Sequence, residues 1–221
     1  MPSFSHFFDS LIANRGVFFD AMLITLQLTV VSILIGIVIG LFFALLKISK
    51  LKVLGIISDA YIYLVRGTPL IVQIFILYFG FSGLFLIPDF WAASLALAFH
   101  NGAYIAEIFR GTIQSIDKGQ MEAGRSLGMT RGLTLRRIIM PQAFRRALPP
   151  LGNQMIIGLK DSSLAAFISI NELFNVATTL GSNNFDEMTF LLIVAVYYLI
   201  LVAILTLIVN GLEKKMSISD R

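Results

Sequence analysis

The stretch MLITLQLTVVSILIGIVIGLFFALL, residues 22–46, decides the fold, because it runs for 25 residues without a charged side chain. At about 1.5 Å of rise per residue, a helix of this length exceeds the roughly 30 Å hydrocarbon core of a bilayer. Residues 189–209 form a second stretch, of 21 uncharged residues. The two stretches predict transmembrane helices and therefore an all-α membrane protein.

The composition of the whole chain indicates the same class. Of its 221 residues, 57% are hydrophobic and 14% are charged, whereas soluble domains carry about 25% charged residues. The mean hydropathy of +0.86 is correspondingly high. The chain has no cysteine and two histidines, so a disulfide framework, a thiolate metal site and a histidine-based metal centre are not expected.

Three further segments predict spans although they carry polar residues. The least apolar contains Lys160 and Asp161, but a polar span persists in a membrane where it faces protein or a water-filled cavity. We therefore expect a single domain over residues 1–221 with five transmembrane helices. The predicted spans are residues 17–47, 53–86, 90–113, 149–170 and 187–212.

Positive charges lie in alternate connections between these spans. Of the 17 lysines and arginines, eight fall in residues 110–148, three in residues 47–52 and three after Asn210, whereas the opposite side holds Arg15. Because Lys and Arg accumulate in cytoplasmic loops, we expect the N-terminus outside and the C-terminus in the cytoplasm. The net charge of +4 is thereby assigned to membrane topology, and nucleic acid is not an expected partner.

Motifs of nucleotide binding and of zinc-dependent hydrolysis are missing from the sequence. It contains no G-x-x-x-x-G-K-[ST] and no H-E-x-x-H, so hydrolase and nucleotide-binding functions are disfavoured. We expect no catalytic site and no cofactor in this chain. Any source of energy must then be a partner chain or an ion gradient.

The cytoplasmic segment holds the most informative pattern. It reads GQMEAGRSLGM over residues 119–129 and IIMPQA over residues 138–143. This order resembles the EAA loop of ABC importer permeases, which has Glu-Ala-Ala, a Gly four residues after the last Ala, and a later Ile-x-Leu-Pro. Here Gly124 stands in place of the second Ala, and Met140 stands in place of Leu.

Further stretches extend the resemblance over residues 20–213. They are RGTPLIVQ at 66–73, RRALPPLGNQ at 145–154 and KDSSL at 160–164. Together they are similar to the histidine/glutamine/arginine branch of polar amino acid permeases, with the arginine type most similar. The resemblance implies a MetI-like type I ABC importer permease fold in the inner or plasma membrane of a prokaryote, in contact with membrane lipid.

The same resemblance implies partners. They are a second permease subunit in a dimer, ABC ATPase subunits that bind ATP and Mg, and an extracellular or periplasmic substrate-binding protein. This chain would translocate polar amino acids, most favourably the cationic arginine, histidine and lysine, and would make no covalent bond change itself.

A short cytoplasmic helix is predicted at 118–128, since Asp117 with Gln120 is typical of an N-terminal cap and Gly128 of a C-terminal one. A helix so rich in small residues suits docking into a groove of the ATPase; the alternative is a basic loop that contacts anionic lipid. The predicted ATPase-coupling residues are Glu122, Ala123, Gly124, Arg125, Leu127 and Gly128.

Two more helices are predicted outside the spans. An amphipathic helix is expected from Thr130 toward Pro149, with a kink at Pro141. On the outer side, Ser169 is expected to form a capping box with Glu172, and the helix that follows is expected to end at Gly181.

Polar residues within the predicted spans are the candidate substrate ligands. A carboxylate at the position of Asp161, near the membrane midplane, is costly and predicts a site. If Asp161 and Glu107 face one cavity, they suit a ligand with both an α-ammonium and a basic side chain, while Arg66 meets the α-carboxylate. The predicted substrate-binding residues are Asp161, Glu107, Asn101, Gln73, Thr68, Ser162 and Arg66.

Other interpretations of these residues remain open at this point. Asp161 can pair with Lys160 or Arg66 and only hold helices together, and Glu107 can form a helical pair with Arg110, three residues on. The KDSSL stretch also occurs in family members that carry glutamine. The alternative function is an ion-coupled secondary amino acid carrier that uses Glu107 and Asp161 as proton sites, and a third class is a membrane protein without a transport pathway.

Overall fold

The computed structural model describes residues 4–80 and 87–217 and is helical throughout these ranges, with no β-strand among them. Short connections join long helices that contribute to three clusters of buried apolar side chains. The helices are α1 Phe4–Ala13, α2 Arg15–Lys47, α3 Lys52–Arg66, α4 Leu70–Gly80, α5 Asp89–Gln114, α6 Lys118–Ser126, α7 Arg131–Thr134, α8 Met140–Asp161, α9 Leu173–Asn183 and α10 Glu187–Ser217; a π turn, Leu135–Ile139, precedes α8, and a 3₁₀ helix, Ser162–Ile168, follows it.

Length and composition identify two helices within the described residues, α2 and α10, that can each cross a membrane alone. Two bent pairs of helices are long and apolar enough to cross a membrane when each pair is taken as one span: α3 with α4, and residues 131–168 with α9. The third predicted span corresponds to α5, which is 26 residues long but carries His100, Asn101 and Glu107. Five crossings therefore stay a prediction.

Helix α5 packs closely against α2 through glycine. A Cβ atom added at Gly40 of α2 would lie 2.6 Å from Cγ2 of Ile105 and 2.9 Å from the backbone nitrogen of Ala106. Small residues allow helix backbones to approach in membranes, where the hydrophobic effect does not drive helices together. Helix α5 therefore packs directly against α2, and its alanine-rich face is fully buried.

The predicted span 53–86 consists of two helices, because the chain bends by 102° between α3 and α4. The bend lies at Gly67-Thr68-Pro69. Pro69 has no N–H for a helical hydrogen bond, and its ring disfavours helical geometry in the preceding residue. Residues 81–86, the end of the predicted segment, lie outside the described residues.

The predicted division at Pro149 is wrong. Helix α8 begins at Met140 and continues through Pro149 and Pro150 to Asp161, so the amphipathic helix and the segment 149–170 are continuous. The two prolines leave unbonded the carbonyls four residues earlier, at Arg145 and Arg146, and both residues are exposed, so water can satisfy these carbonyls. The irregularity predicted at Pro141 takes the form of the π turn just before α8.

The outer connection differs from its predicted capping. Ser169 adopts a left-handed conformation, with φ of 63°, and ends the 3₁₀ helix. Glu172 itself caps α9, accepting hydrogen bonds from the backbone N–H of Phe174 at 2.9 Å and of Asn175 at 2.7 Å. Gly181 does not end α9, which runs to Asn183; a Cβ there would lie 2.9 Å from Cα of Glu187, so Gly181 permits contact with α10.

Candidate functional site

A cavity of about 720 Å³ lies between α3 and α5 and holds several charged side chains. The guanidinium carbon of Arg66 lies 5.0 Å from the centre of the Tyr104 ring, a cation–π contact between the two helices. Lys47 and Asp59, also in the lining, form an ion pair with each other. Within the described residues Arg66 makes no ion pair, so its charge remains available to an anionic group.

Glu107 also lines this cavity, and Arg110 neutralises its charge. The Nε atom of Arg110 donates to both carboxylate oxygens of Glu107 at 3.0 Å, and NH2 of Arg110 donates to Oε2 at 2.7 Å. NH1 of the same guanidinium donates to Gln114 at 2.7 Å. The helical pair raised as an alternative from the sequence is therefore present, and Glu107 offers no free charge to a ligand.

Thr68 and Gln73 meet at the break between α3 and α4. Nε2 of Gln73 lies 2.7 Å from the carbonyl oxygen of Val65 and 2.9 Å from the hydroxyl of Thr68, which itself donates to the carbonyl of Leu64. Oε1 of Gln73 lies 3.2 Å from Nδ1 of His100 on α5. Side chains thus satisfy the carbonyls that the break frees, and His100 ties α4 to α5.

Asn101 forms a buried contact between α5 and α8. Its side chain is fully buried, its Oδ1 accepts a hydrogen bond of 2.8 Å from Nε2 of Gln154, and its Nδ2 donates to the carbonyl of Leu97. Gln154, which lies in the LGNQ stretch, was not among the predicted site residues. In this conformation Asn101 holds two helices together and does not face a cavity.

Asp161 and Ser162 lie at the junction of α8 and the 3₁₀ helix. The hydroxyl of buried Ser162 donates to the carbonyl of Leu159 at 2.8 Å. Asp161 is half-buried, and among the described residues it has no hydrogen-bond or ion-pair partner. Neither Lys160 nor Arg66 forms an ion pair with it, so Asp161 is a carboxylate without an ion-pair partner, and the nearby charge of Lys160 offsets its charge only in part.

The two candidate carboxylates lie at different levels of the bundle. Helices α5 and α8 run antiparallel, since Asn101 meets Gln154 whereas Phe109 contacts Phe144. From the contact of Asn101 with Gln154, Glu107 lies six residues along α5 and Asp161 lies seven residues along α8 in the opposite direction. The two carboxylates are therefore roughly 20 Å apart along the axis at 1.5 Å per residue. The expectation that both carboxylates face one cavity is not met in this conformation.

The predicted cytoplasmic helix is present as α6 and is capped at both ends. Oδ1 of Asp117 accepts a hydrogen bond of 2.6 Å from the backbone N–H of Gly119. At the other end Gly128 has φ of +79°, and the N–H of Met129 donates to the carbonyl of Gly124 at 3.1 Å. The N–H of Gly128 donates to the carbonyl of Arg125 at 3.0 Å, and the two C-terminal bonds together form a Schellman motif, which ends the helix.

Most predicted coupling residues lie on the exposed side of α6 and its C-terminal turn. They are Glu122, Ala123, Arg125, Leu127 and Gly128, and the side chain of Leu127 is 82% exposed. Gly124 is buried instead: a Cβ there would lie 2.5 Å from Cγ2 of Thr134 in α7. Gly124 therefore positions α6, and the other residues form a surface that a partner can contact.

Comparison with known proteins identifies relatives along nearly the whole chain. Residues 36–218 match the model of the family described as binding-protein-dependent transport system inner membrane component. The arginine transport system permease protein ArtQ of Bacillus subtilis is 36% identical over 96% of this chain and 98% of its own length. The glutamine transport system permease protein GlnP of Escherichia coli is 40% identical over 88% and 90%. The L-cystine permease protein TcyB of B. subtilis is 40% identical over 87% and 83%.

Solved structures share the fold. A chain of an amino acid ABC transporter crystallised with histidines superposes with a TM-score of 0.86 at 36% identity, covering 93% of this chain and 97% of that one. A chain of the MetNI methionine ABC transporter gives a TM-score of 0.81 at 20% identity, which supports the fold alone. The chain belongs to the family of binding-protein-dependent transport system inner membrane components, and it is the non-catalytic permease of an amino acid ABC importer, with a MetI-like type I fold.

Proposed function

We propose that this permease carries cationic amino acids, namely arginine, histidine and lysine, into the cytoplasm as a homodimer driven by ATPase subunits that bind ATP and Mg. A substrate-binding protein delivers the amino acid at the outer face, where the N-terminus lies, and the C-terminus is cytoplasmic. The observation that carries the substrate class is the unpaired carboxylate of half-buried Asp161.

A carboxylate without an ion-pair partner inside a predicted span is unfavourable, because lipid and protein interiors solvate charge poorly. A ligand with a cationic side chain offsets this cost by pairing with Asp161. A neutral ligand such as glutamine leaves the carboxylate without a partner. Asp161 therefore favours a cationic amino acid over a neutral one of similar size.

Arg66 is proposed to bind the α-carboxylate of the substrate, since its guanidinium stacks on Tyr104 beside the cavity and has no carboxylate partner. Asp161 and Arg66 then serve successive positions along one pathway. Thr68, Gln73, Asn101 and Ser162 already hydrogen bond within the chain. These four residues are proposed to shape the pathway. Glu107 is proposed to form part of its wall, as a neutral pair with Arg110.

The relatives support a polar amino acid but do not choose among them by identity. The arginine permease protein is 36% identical, and the solved transporter crystallised with histidines is also 36% identical. The glutamine and cystine permease proteins are both 40% identical. The choice therefore depends on the charge environment at Asp161.

Binding of radiolabelled arginine, lysine, histidine and glutamine to the purified permease–ATPase assembly tests the substrate class. Asp161→Asn is expected to weaken arginine and lysine binding roughly 10- to 100-fold, the worth of a hydrogen bond to a charged group, and to leave glutamine binding unchanged. The matched control is Glu107→Gln, which is expected to leave the arginine-to-glutamine ratio unchanged. An equal loss for all four amino acids would refute the assignment.

The ATPase is proposed to bind the exposed surface of α6 formed by Glu122, Ala123, Arg125 and Leu127. A leucine that is 82% exposed beside a charged surface suits burial in a partner. Leu127→Ala is expected to reduce copurification of the ATPase at least about fivefold, as truncation of an interface anchor costs more than ~1 kcal/mol. Leu133→Ala, at a partly exposed leucine in α7, is the control; equal losses would contradict the assignment.

The ion-coupled carrier is the alternative source of energy. It requires Glu107 to exchange protons, and three hydrogen bonds from Arg110 oppose this because they favour the charged carboxylate. Transport by the purified chain in liposomes without ATP or the ATPase would overturn the ATP-driven proposal. We expect uptake to require both.

A further inference from the structure

A crevice of about 940 Å³ lies between the turn after α2, the end of α5, and helices α6 and α7. It adjoins the cavity that Glu107 and Arg66 line, and Lys47 is common to the two linings. The interior of the crevice is apolar and its rim is positively charged. Neither the proposed substrate pathway nor the proposed contact with the ATPase accounts for this combination. The volume falls within the range of about 300–1,000 Å³ that is usual for ligand pockets.

The floor of the crevice is built from apolar side chains of four different elements. Ile113, Ile116 and Ile139 are 6–8% exposed and belong to the cluster of buried residues beneath α8. Ile48 and Leu135 close the sides. A small, fully hydrated anion gains nothing from such a floor, whereas a hydrocarbon chain removes it from water.

The rim carries Lys50, Lys118 and Arg131, all exposed. In the part of the chain that the structure describes, none of the three forms a side-chain hydrogen bond or an ion pair. Lys47 also lines the crevice but is paired with Asp59, and Asp117 accepts a hydrogen bond from Gly119. The rim is therefore a net positive group of cations without partners.

We propose that this crevice binds an anionic phospholipid of the cytoplasmic leaflet, with its phosphate on Lys50, Lys118 and Arg131 and an acyl chain along the apolar floor. This proposal rests on the proposed topology, which places the ends of α2 and α5 at the cytoplasmic membrane surface. Basic pockets at the cytoplasmic membrane surface attract anionic lipid headgroups, and the apolar floor can bury the acyl chain.

The position of the crevice gives the lipid a physical connection to the coupling helix. Lys118 is the first residue of α6, whereas Lys50 follows α2 and Ile113 belongs to α5. One bound lipid thus bridges the helix proposed to contact the ATPase and two helices of the bundle. Anionic lipid would stabilise α6 in the position described here.

Native mass spectrometry of the purified permease–ATPase assembly, titrated with phosphatidylglycerol, tests the site by counting bound lipids. The variant Lys50→Gln/Lys118→Gln/Arg131→Gln is expected to weaken lipid binding roughly 100-fold, because each Lys or Arg near an anionic surface contributes on the order of fivefold. The matched control, Lys52→Gln/Arg136→Gln/Arg137→Gln, removes equal charge from exposed residues that do not line the crevice. It is expected to bind phosphatidylglycerol within about twofold of the wild type.

Competitors distinguish the sources of the anion. Phosphatidylcholine, glycerol 1-phosphate and inorganic phosphate are not expected to displace phosphatidylglycerol, since the first lacks the net charge and the others lack the tail. Each single substitution is expected to weaken phosphatidylglycerol binding about fivefold. The three single variants test the site if the triple variant does not fold.

Equal loss in both triple variants would overturn the proposal, as would displacement by inorganic phosphate. Binding of phosphatidylglycerol only after the ATPase is removed would assign the crevice to the ATPase instead. The readout counts lipid and uses neither substrate nor transport, so its failure leaves the proposed transport function untouched, and failure of the amino acid binding experiment leaves this one intact.

Discussion

Gly124 is the buried member of the predicted coupling residues, and its place against Thr134 explains why it has no side chain. The side chain of Thr134 is fully buried and its hydroxyl bonds back to the carbonyl of Thr130. A methyl group on residue 124 would collide with both Cγ2 and Oγ1 of Thr134, at 2.5 and 2.8 Å.

We predict that Gly124→Ala weakens coupling, although alanine is the residue expected at this place in the EAA pattern. Overpacking of this kind costs about 1–3 kcal/mol, so α6 shifts relative to α7 and substrate-stimulated ATP hydrolysis by the assembly falls. Thr134→Ala added to Gly124→Ala removes both colliding atoms and is expected to restore the activity. Absence of rescue by the double variant would show that Thr134 is not the cause.

Single-residue roles were predictable where both partners are near in sequence. The Glu107–Arg110 pair follows from a spacing of three residues in a helix. The Asn101–Gln154 contact joins residues that are 53 positions apart in the sequence, and no local pattern predicts it. The isolation of Asp161 depends on what surrounds it in three dimensions, so the sequence left its pairing with Lys160 or Arg66 open.

At the scale of elements, the contact of α2 with α5 depends on glycine in α2. We predict that Gly40→Ala lowers the free energy of unfolding of the solubilised protein by about 1–3 kcal/mol. The added methyl group would meet the backbone of Ala106, which cannot rotate away as a side chain can. Gly111→Ala in α5 is the matched control, because nothing lies within 4 Å of its Cβ position. Replacing this glycine in the last turn of α5 is expected to be neutral or to stabilise by up to ~1 kcal/mol; equal destabilisation by both variants would contradict the argument.

Helix α9 is attached through one buried acid. Glu172 lies between the predicted fourth and fifth spans, is fully buried, and accepts a hydrogen bond from the hydroxyl of Tyr198 at 3.0 Å as well as those from the α9 backbone. The neighbouring N–H of Leu173 donates to Thr25 of α2 at 3.1 Å. Burial raises the pKa of Glu172 from its ordinary 4.5 to about 7, and the hydrogen bonds from Phe174, Asn175 and Tyr198 oppose this rise.

A pH dependence of α9 follows from this pKa. Between about pH 4.5 and 7 the folded protein binds a proton on Glu172 that the unfolded chain has lost. Folding is therefore favoured at the acidic end, and on the order of 3 kcal/mol is lost as pH rises through this window. Hydrogen exchange of the α9 amides, corrected for intrinsic rates, is expected to be slower at pH 5 than at pH 8.

Glu172→Gln is expected to abolish this difference in hydrogen exchange, whereas Asp186→Asn, at a partly exposed acid near the other end of α9, is expected to retain it. A pH effect of equal size in the Glu172→Gln protein would assign the dependence to another group.

Elements were predictable where apolar length or capping chemistry is local. Helix α2 contains its whole uncharged stretch, and α6 begins after Asp117 as its cap predicts. The continuity of α8 through Pro149 is not predictable from the sequence, because proline is typical of a helix boundary and the access of water to the freed carbonyls depends on the tertiary structure. The role of Gly181 was missed because its contact with Glu187 is tertiary.

At the scale of the whole molecule, the predicted topology is testable without altering the background, since the chain has no cysteine. We predict that a cysteine at exposed Gln120 is protected from a membrane-impermeant maleimide in sealed cells, whereas one at Asn184 is labelled. Both are expected to react after permeabilisation, which controls for accessibility. Labelling at position 120 in sealed cells would place residues 110–148 outside and remove the basis for contact with an ATPase.

The architecture was predictable because charge distribution and an ordered set of motifs extend along most of the chain. The sequence could not supply the level of each polar group along the bundle. Glu107 and Asp161 both lie in polar spans, but which level each reaches depends on the antiparallel register of α5 and α8, set by the contact of Asn101 with Gln154.

The π turn at Leu135–Ile139 has a consequence for chain length. A turn closed by bonds five residues apart holds about one residue more than an α-helical turn, so the connection from α7 to α8 contains a spare residue. Deleting one residue there lets the ladder close as ordinary helix with α7 and α8 keeping their rotational phase. The same deletion inside α8 turns everything beyond it by about 100°, which would separate Gln154 from Asn101.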